Sequence, residues 1–96
     1  MKKFQVSIQF ITDKEFMDLV PSHKTYINYL IGKEIIEHYA VSMESQRIWI
    51  TLNAEDKVAI EKILAQSPLF PYFTYEAYEL FALDGQNYRL PTLQMN

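Results

Sequence analysis

Cysteine is absent from the 96 residues, which excludes disulfides, thiolate metal sites and thiol catalysis and fits a cytoplasmic address. Glycine occurs twice and proline four times, so the chain holds no linker or low-complexity stretch, and no internal repeat is visible. No apolar run approaches the ~20 residues that a membrane span needs, so no membrane partner is expected. Met1-Lys2-Lys3-Phe4 has the outline of a signal-peptide start, but Gln5, Ser7 and Gln9 interrupt the stretch that follows in strict alternation, so no leader is expected. Basic residues are in the minority: the net charge is −3, with Lys and Arg scattered. Nothing in that pattern tracks a phosphate backbone, which argues against nucleic acid. The two histidines, His23 and His38, stand far apart and in no ligand-spaced motif. No metal and no cofactor is expected.

What is there suits a small globular protein. Hydrophobic residues make up 49% and charged residues 22%, enough apolar surface for one core and one domain over residues 1–96. A chain this short buries only about two-thirds of its unfolded surface, so a subunit interface would help it. Seven tyrosines against one tryptophan suggest surfaces apolar in body and polar at the tip, as interfaces and pockets are.

Phe4, Val6, Ile8 and Phe10 alternate with polar residues, the period of a strand with one apolar face. Thr12 and Glu15 have the spacing of a capping box, opening a helix whose apolar face is Phe16, Leu19, Val20, His23, Ile27 and Leu30. Pro21 either kinks that helix or splits it. A strand is expected over residues 36–42, a turn over 43–46, and a third strand over 47–52. Asn53 is expected to cap a second helix carrying Ala59, Ile60, Ile63 and Leu64 inward, ended by Pro68 and Pro71. A fourth strand is expected over 73–83, closed by Asp84-Gly85, with residues 84–96 as a tail. The order predicts an α+β, ferredoxin-like βαββαβ plait: a four-stranded antiparallel sheet with two helices on one face, and the first strand beside the third and fourth.

That fold leaves one sheet face bare. The alternation sends Gln5, Ser7 and Gln9 to it, with Arg47, Trp49 and Thr51, then His38, Ala40 and Ser42, and finally Thr74, Glu76, Tyr78 and Leu80. This mixture suits a pocket between two sheets, or a wet homodimer interface with no ligand. His38 beside Glu76 and Tyr78 could act as a general base oriented by a carboxylate, or Glu76 could itself carry the proton, with Tyr78 helping to orient the substrate. Arg47 could hold a substrate carboxylate, and Trp49 could wall the pocket. His23 has two readings, a hydrogen-bonded core histidine or a rival proton carrier on the helix.

The segment Leu64-Ala65-Gln66-Ser67-Pro68-Leu69-Phe70-Pro71-Tyr72 resembles the stretch of muconolactone isomerase in which a helix ends in Pro-Leu-Phe-Pro-Tyr before the last strand. Here Pro68 would stop the helix, Leu69 and Phe70 would plug the sheet's edge, and Pro71 would stiffen the strand's entry. The likeness extends more loosely over most of residues 2–83. It implies a dimeric α+β barrel, in which two plaits pair sheet to sheet as a homodimer or within a larger homo-oligomer. It also implies a cofactor-free isomerase acting by proton transfer on a small lactone or organic acid. Pro21-Ser22-His23-Lys24 departs from the family's acidic, lysine-rich helix. Only Lys24 keeps the residue type there, which makes it a candidate substrate-binding residue. A non-enzymatic ligand-binding or assembly module on the same barrel is the competing expectation.

Overall fold

The computed structural model describes residues 1–84. The alternating segment forms strand β1 (Lys2–Phe10), followed by helix α1 (Lys14–Gly32), strands β2 (Ile36–Ser42) and β3 (Arg47–Ala54), helix α2 (Lys57–Ala65), a 3-10 turn (Phe70–Tyr72) and strand β4 (Phe73–Glu79). The strands form one antiparallel sheet in the order β2-β3-β1-β4. This is the expected ferredoxin-like α+β plait.

Burial follows the predicted phase. Phe4, Val6, Ile8 and Phe10 of β1 and Ile48, Ile50 and Leu52 of β3 are buried, and they meet Phe16, Ile27 and Leu30 of α1 and Ile60 and Leu64 of α2. Each such side chain contributes roughly 1.5–3 kcal/mol against exposure. The two central strands therefore anchor the sheet to its helices.

Local details correct several expectations. The cap of α1 is Asp13, whose carboxylate accepts the Phe16 N–H at 2.7 Å, rather than Thr12. Thr12 instead accepts a hydrogen bond from the Gln46 side chain at 2.8 Å. Asp56 caps α2 by accepting from Ala59 N–H at 2.9 Å. Asn53 belongs to β3, where it joins Lys3 and Glu37 in a polar cluster. An acceptor next to the first free N–H groups beats one further upstream, whether one residue away like Thr12 or three like Asn53. Pro21 lies inside a single continuous α1, with Thr25 Oγ1 donating to the Pro21 carbonyl at 3.1 Å. Strand β4 stops at Glu79, short of the expected residue 83, after which Leu80 N–H donates to the Lys3 carbonyl. The expected Asp84-Gly85 turn and the tail after residue 84 fall outside the described residues. Within the Pro68–Tyr72 stretch Leu69 is buried, whereas Phe70 is only half-buried and packs near Tyr75.

A bulge in β2 decides which side chains reach the core. Ile36 pairs with Leu52, but His38 pairs with Thr51, so Glu37 is an extra residue on this strand. Ile36 and Tyr39, three apart, therefore both face the helices, while His38 turns to the bare face. Plain alternation would have put Ile36 and His38 on one side.

Candidate functional site

The bare face carries the residues expected there, ordered in rows by the register. His38, Thr51, Gln5 and Tyr78 form one row; Ala40, Trp49, Ser7 and Glu76 the next; Ser42, Arg47, Gln9 and Thr74 the third. His38 and Glu76 thus stand on opposite edge strands with β3 and β1 between them. Three strand spacings put them about 14 Å apart, so Glu76 cannot orient His38 within one chain, and the expected His38–Glu76 pairing is not formed. Glu76 is instead the acceptor for the Tyr78 hydroxyl. That hydrogen bond, and then the charge of Glu76, raise the Tyr78 pKa above its ordinary value against the opposing pull of Arg47. Arg47 Nη1 donates to Ser7 Oγ at 2.7 Å, and Thr51 Oγ1 donates to Gln5 Oε1 at 2.7 Å. Glu76, Tyr78, Arg47 and Ser7 therefore gather beside Trp49 on an open surface.

The second candidate lies on the opposite side of the sheet, under α1. His23 points inward from the apolar stripe of α1 and is 5% exposed. Its Nδ1 lies 2.6 Å from Ser67 Oγ and its Nε2 2.7 Å from the Tyr39 hydroxyl. Ser67 is set by the end of α2: its N–H donates to the Leu64 carbonyl, and its Oγ accepts Leu69 N–H at 3.0 Å. Tyr39 is placed by the β2 bulge. Burial, and secondarily the nearby Lys24 ammonium, lower the His23 pKa from 6.5 to about 4, so the imidazole is neutral at ordinary pH. Burial pushes Tyr39 up to about 12, keeping the phenol protonated.

His23 and Tyr39 border a cavity of ≈110 Å³. Phe10, Phe16, Ile48 and Leu69 line its depth, and the exposed Met17, Val41 and Met43 border it as well. His23 and Tyr39 supply the only oxygen or nitrogen side-chain atoms of that lining. Lys24 is not part of it; its ammonium stands 5.8 Å from the centre of the Tyr39 ring. The arrangement can accept an apolar body and fix one polar atom, the usual form of a small-molecule site. Among the described residues no group of three or more His, Asp or Glu is placed to hold a metal ion, and no helix is long and apolar enough to cross a membrane.

The seven residues singled out in the sequence divide between these two places. Arg47, Trp49, Glu76 and Tyr78 share the centre and one flank of the bare face, His38 sits on its far edge, and His23 and Lys24 belong to the helix side. Sequence reasoning missed Tyr39 and Ser67. Ser67 is 44 residues from His23 and Tyr39 is 16, so no motif spacing could link them. The one available signal was a tyrosine in the inward phase of β2, whose hydroxyl must find a partner when buried.

No family model matches the chain, and no curated protein matches it in sequence. Among solved structures, a crystal structure of muconolactone isomerase matches with a TM-score of 0.70, covering 91% of this chain and 96% of that one at 18% identity. The chain therefore has a muconolactone isomerase-like fold.

Proposed function

We propose that this chain binds a small organic molecule, of the size of a simple lactone or organic acid, in the cavity beside His23 and Tyr39. One observation carries the reading: a neutral imidazole and a neutral phenol, joined at 2.7 Å, border an otherwise apolar cavity. Both nitrogens of His23 already have oxygen partners. No free base faces the cavity, so binding is better supported there than proton abstraction.

A second reading, a cofactor-free isomerase acting by proton transfer on a small lactone or organic acid, is supported by the bare face. Glu76 is a carboxylate held by Tyr78, with Arg47 positioned to take a substrate carboxylate and Trp49 to wall the site. A second copy would have to close that surface, and His38 could serve only from across the interface. The isomerase-like fold is in keeping with this reading.

Amide chemical-shift mapping with a panel of small lactones, ketones and carboxylates separates the two. Shifts concentrated at Phe16, Met17, Tyr39 and Met43, without turnover, are expected. Turnover of a panel member, lost in Glu76→Gln and kept in His23→Gln, would replace binding with the isomerase reading.

A further inference from the structure

Hydrogen-bond counting in the Ser67–His23–Tyr39 chain leaves one proton over. A neutral imidazole brings one N–H, and the two hydroxyls bring one proton each, three in all. The chain has two links, Nδ1 to Ser67 Oγ and Nε2 to the Tyr39 hydroxyl, and each uses one proton. Ser67 Oγ is otherwise occupied as the acceptor for Leu69 N–H. Neither hydroxyl has a further protein partner among the described residues.

Where the third proton goes depends on the tautomer. With the proton on Nδ1, Tyr39 donates to Nε2, and the leftover donor is Ser67, which is 5% exposed. Ser67 lines a chamber of ≈10 Å³ that is otherwise mostly aliphatic, room for about one water. With the proton on Nε2, Ser67 donates to Nδ1, Nε2–H donates to Tyr39, and the leftover donor is the Tyr39 hydroxyl. That hydroxyl belongs to a residue lining the ≈110 Å³ cavity, where an occupant fits. An acceptor placed there satisfies every proton of the chain at once.

We infer that the cavity takes a small neutral carbonyl compound, a cyclic ketone, whose oxygen accepts from the Tyr39 hydroxyl while Ser67 and His23 hold that hydroxyl in place. This rests on the cavity-binding reading and narrows it. In the Nε2–H form the Tyr39 oxygen already accepts from His23, so a ligand hydroxyl would bring a further proton to a lining that offers no other oxygen or nitrogen acceptor. A carboxylate would find no Lys or Arg in the lining to pair with, since the Lys24 ammonium stands over the Tyr39 ring outside it. The volume is somewhat below that of a cavity that holds benzene, so the ring has about five or six heavy atoms. Burial keeps the imidazole neutral down to about pH 4, so the count of three protons holds over the ordinary range.

The test pairs a tautomer measurement with matched ligands. Nitrogen chemical shifts of isotope-labelled His23 are expected to report the Nε2–H form with cyclopentenone bound. Cyclopentenone should bind about tenfold more tightly than cyclopentene, the worth of roughly one hydrogen bond. Tyr39→Phe, checked for an unchanged fold by its amide spectrum, should remove that difference. An Nδ1–H tautomer in the complex, equal wild-type affinity for the two ligands, or tighter binding of cyclopentanecarboxylate would each overturn the inference while leaving a cavity site standing. A cyclopentenone footprint on Trp49 and Tyr78 instead would overturn the cavity reading itself.

Discussion

At His23 the cost of burying a titratable ring becomes a pH dependence of stability. The unfolded chain protonates this imidazole near 6.5, whereas the folded protein resists until about 4. Between those values the unfolded state holds more protons, so stability falls as pH drops through the window and is fully present above it. The contribution is at most about 3 kcal/mol. Urea unfolding at about pH 7 and about pH 5 should show a clear loss in the wild type and a smaller one in His23→Gln, since the other ionisable groups are common to both proteins. Equal losses would mean that His23 is not held neutral. At this scale the sequence was informative about location and poor about partners. The helical stripe marked His23 as inward-facing, but its bonds to Ser67 and Tyr39 depend on how α1, α2 and β2 are brought together, and one-dimensional periodicity carries no such information.

The ends of the elements, more than their interiors, set the geometry around the cavity. Helix α1 runs through Gly32 and stops only at Glu34, whose φ of 63° is left-handed. Glu34 N–H donates to the Ile31 carbonyl at 2.9 Å and Ile35 N–H to the Leu30 carbonyl at 3.0 Å, a Schellman closure with glutamate where glycine is usual. Glu34→Gly should therefore raise stability by about 0.5–1 kcal/mol, read as a higher urea midpoint at unchanged slope. A lower midpoint would show that the Glu34 side chain contributes more than its backbone strain costs. Interiors were readable because alternation in β1 and the three- and four-residue spacing in α1 and α2 are enforced by burial. Caps were not, because Thr12, Asp13, Asn53 and Asp56 are all chemically competent. The choice among them depends on where the first turn closes. The β2 bulge was invisible for a similar reason: an extra residue changes the phase without changing composition.

On the scale of the whole molecule, the helices cover one side of the sheet and nothing in the described chain covers the other. Trp49 and Tyr78 are 38% and 51% exposed there, in company with Arg47 and Glu76. Opposite charges on one surface suit a two-fold contact, in which each copy's Arg47 can approach its partner's Glu76. Four strands of about seven residues give a footprint of roughly 19 by 23 Å. That is small against the ~800 Å² per partner of a stable interface, so neighbouring apolar surface has to take part. The fully exposed Phe81 and the exposed Leu83, just beyond β4, are the nearest such groups along the chain. We therefore expect the wild type to be a homodimer, or a larger assembly of dimers, by light scattering at micromolar concentration. Trp49→Glu should dissociate it while keeping its far-ultraviolet circular dichroism, because this side chain points away from the core. Phe81→Ser should weaken the association without abolishing it. A wild type that stays monomeric would remove the sheet-to-sheet pairing, and with it the isomerase reading of the bare face. The cavity beside His23 and Tyr39, contained within one chain, would be unaffected by that result.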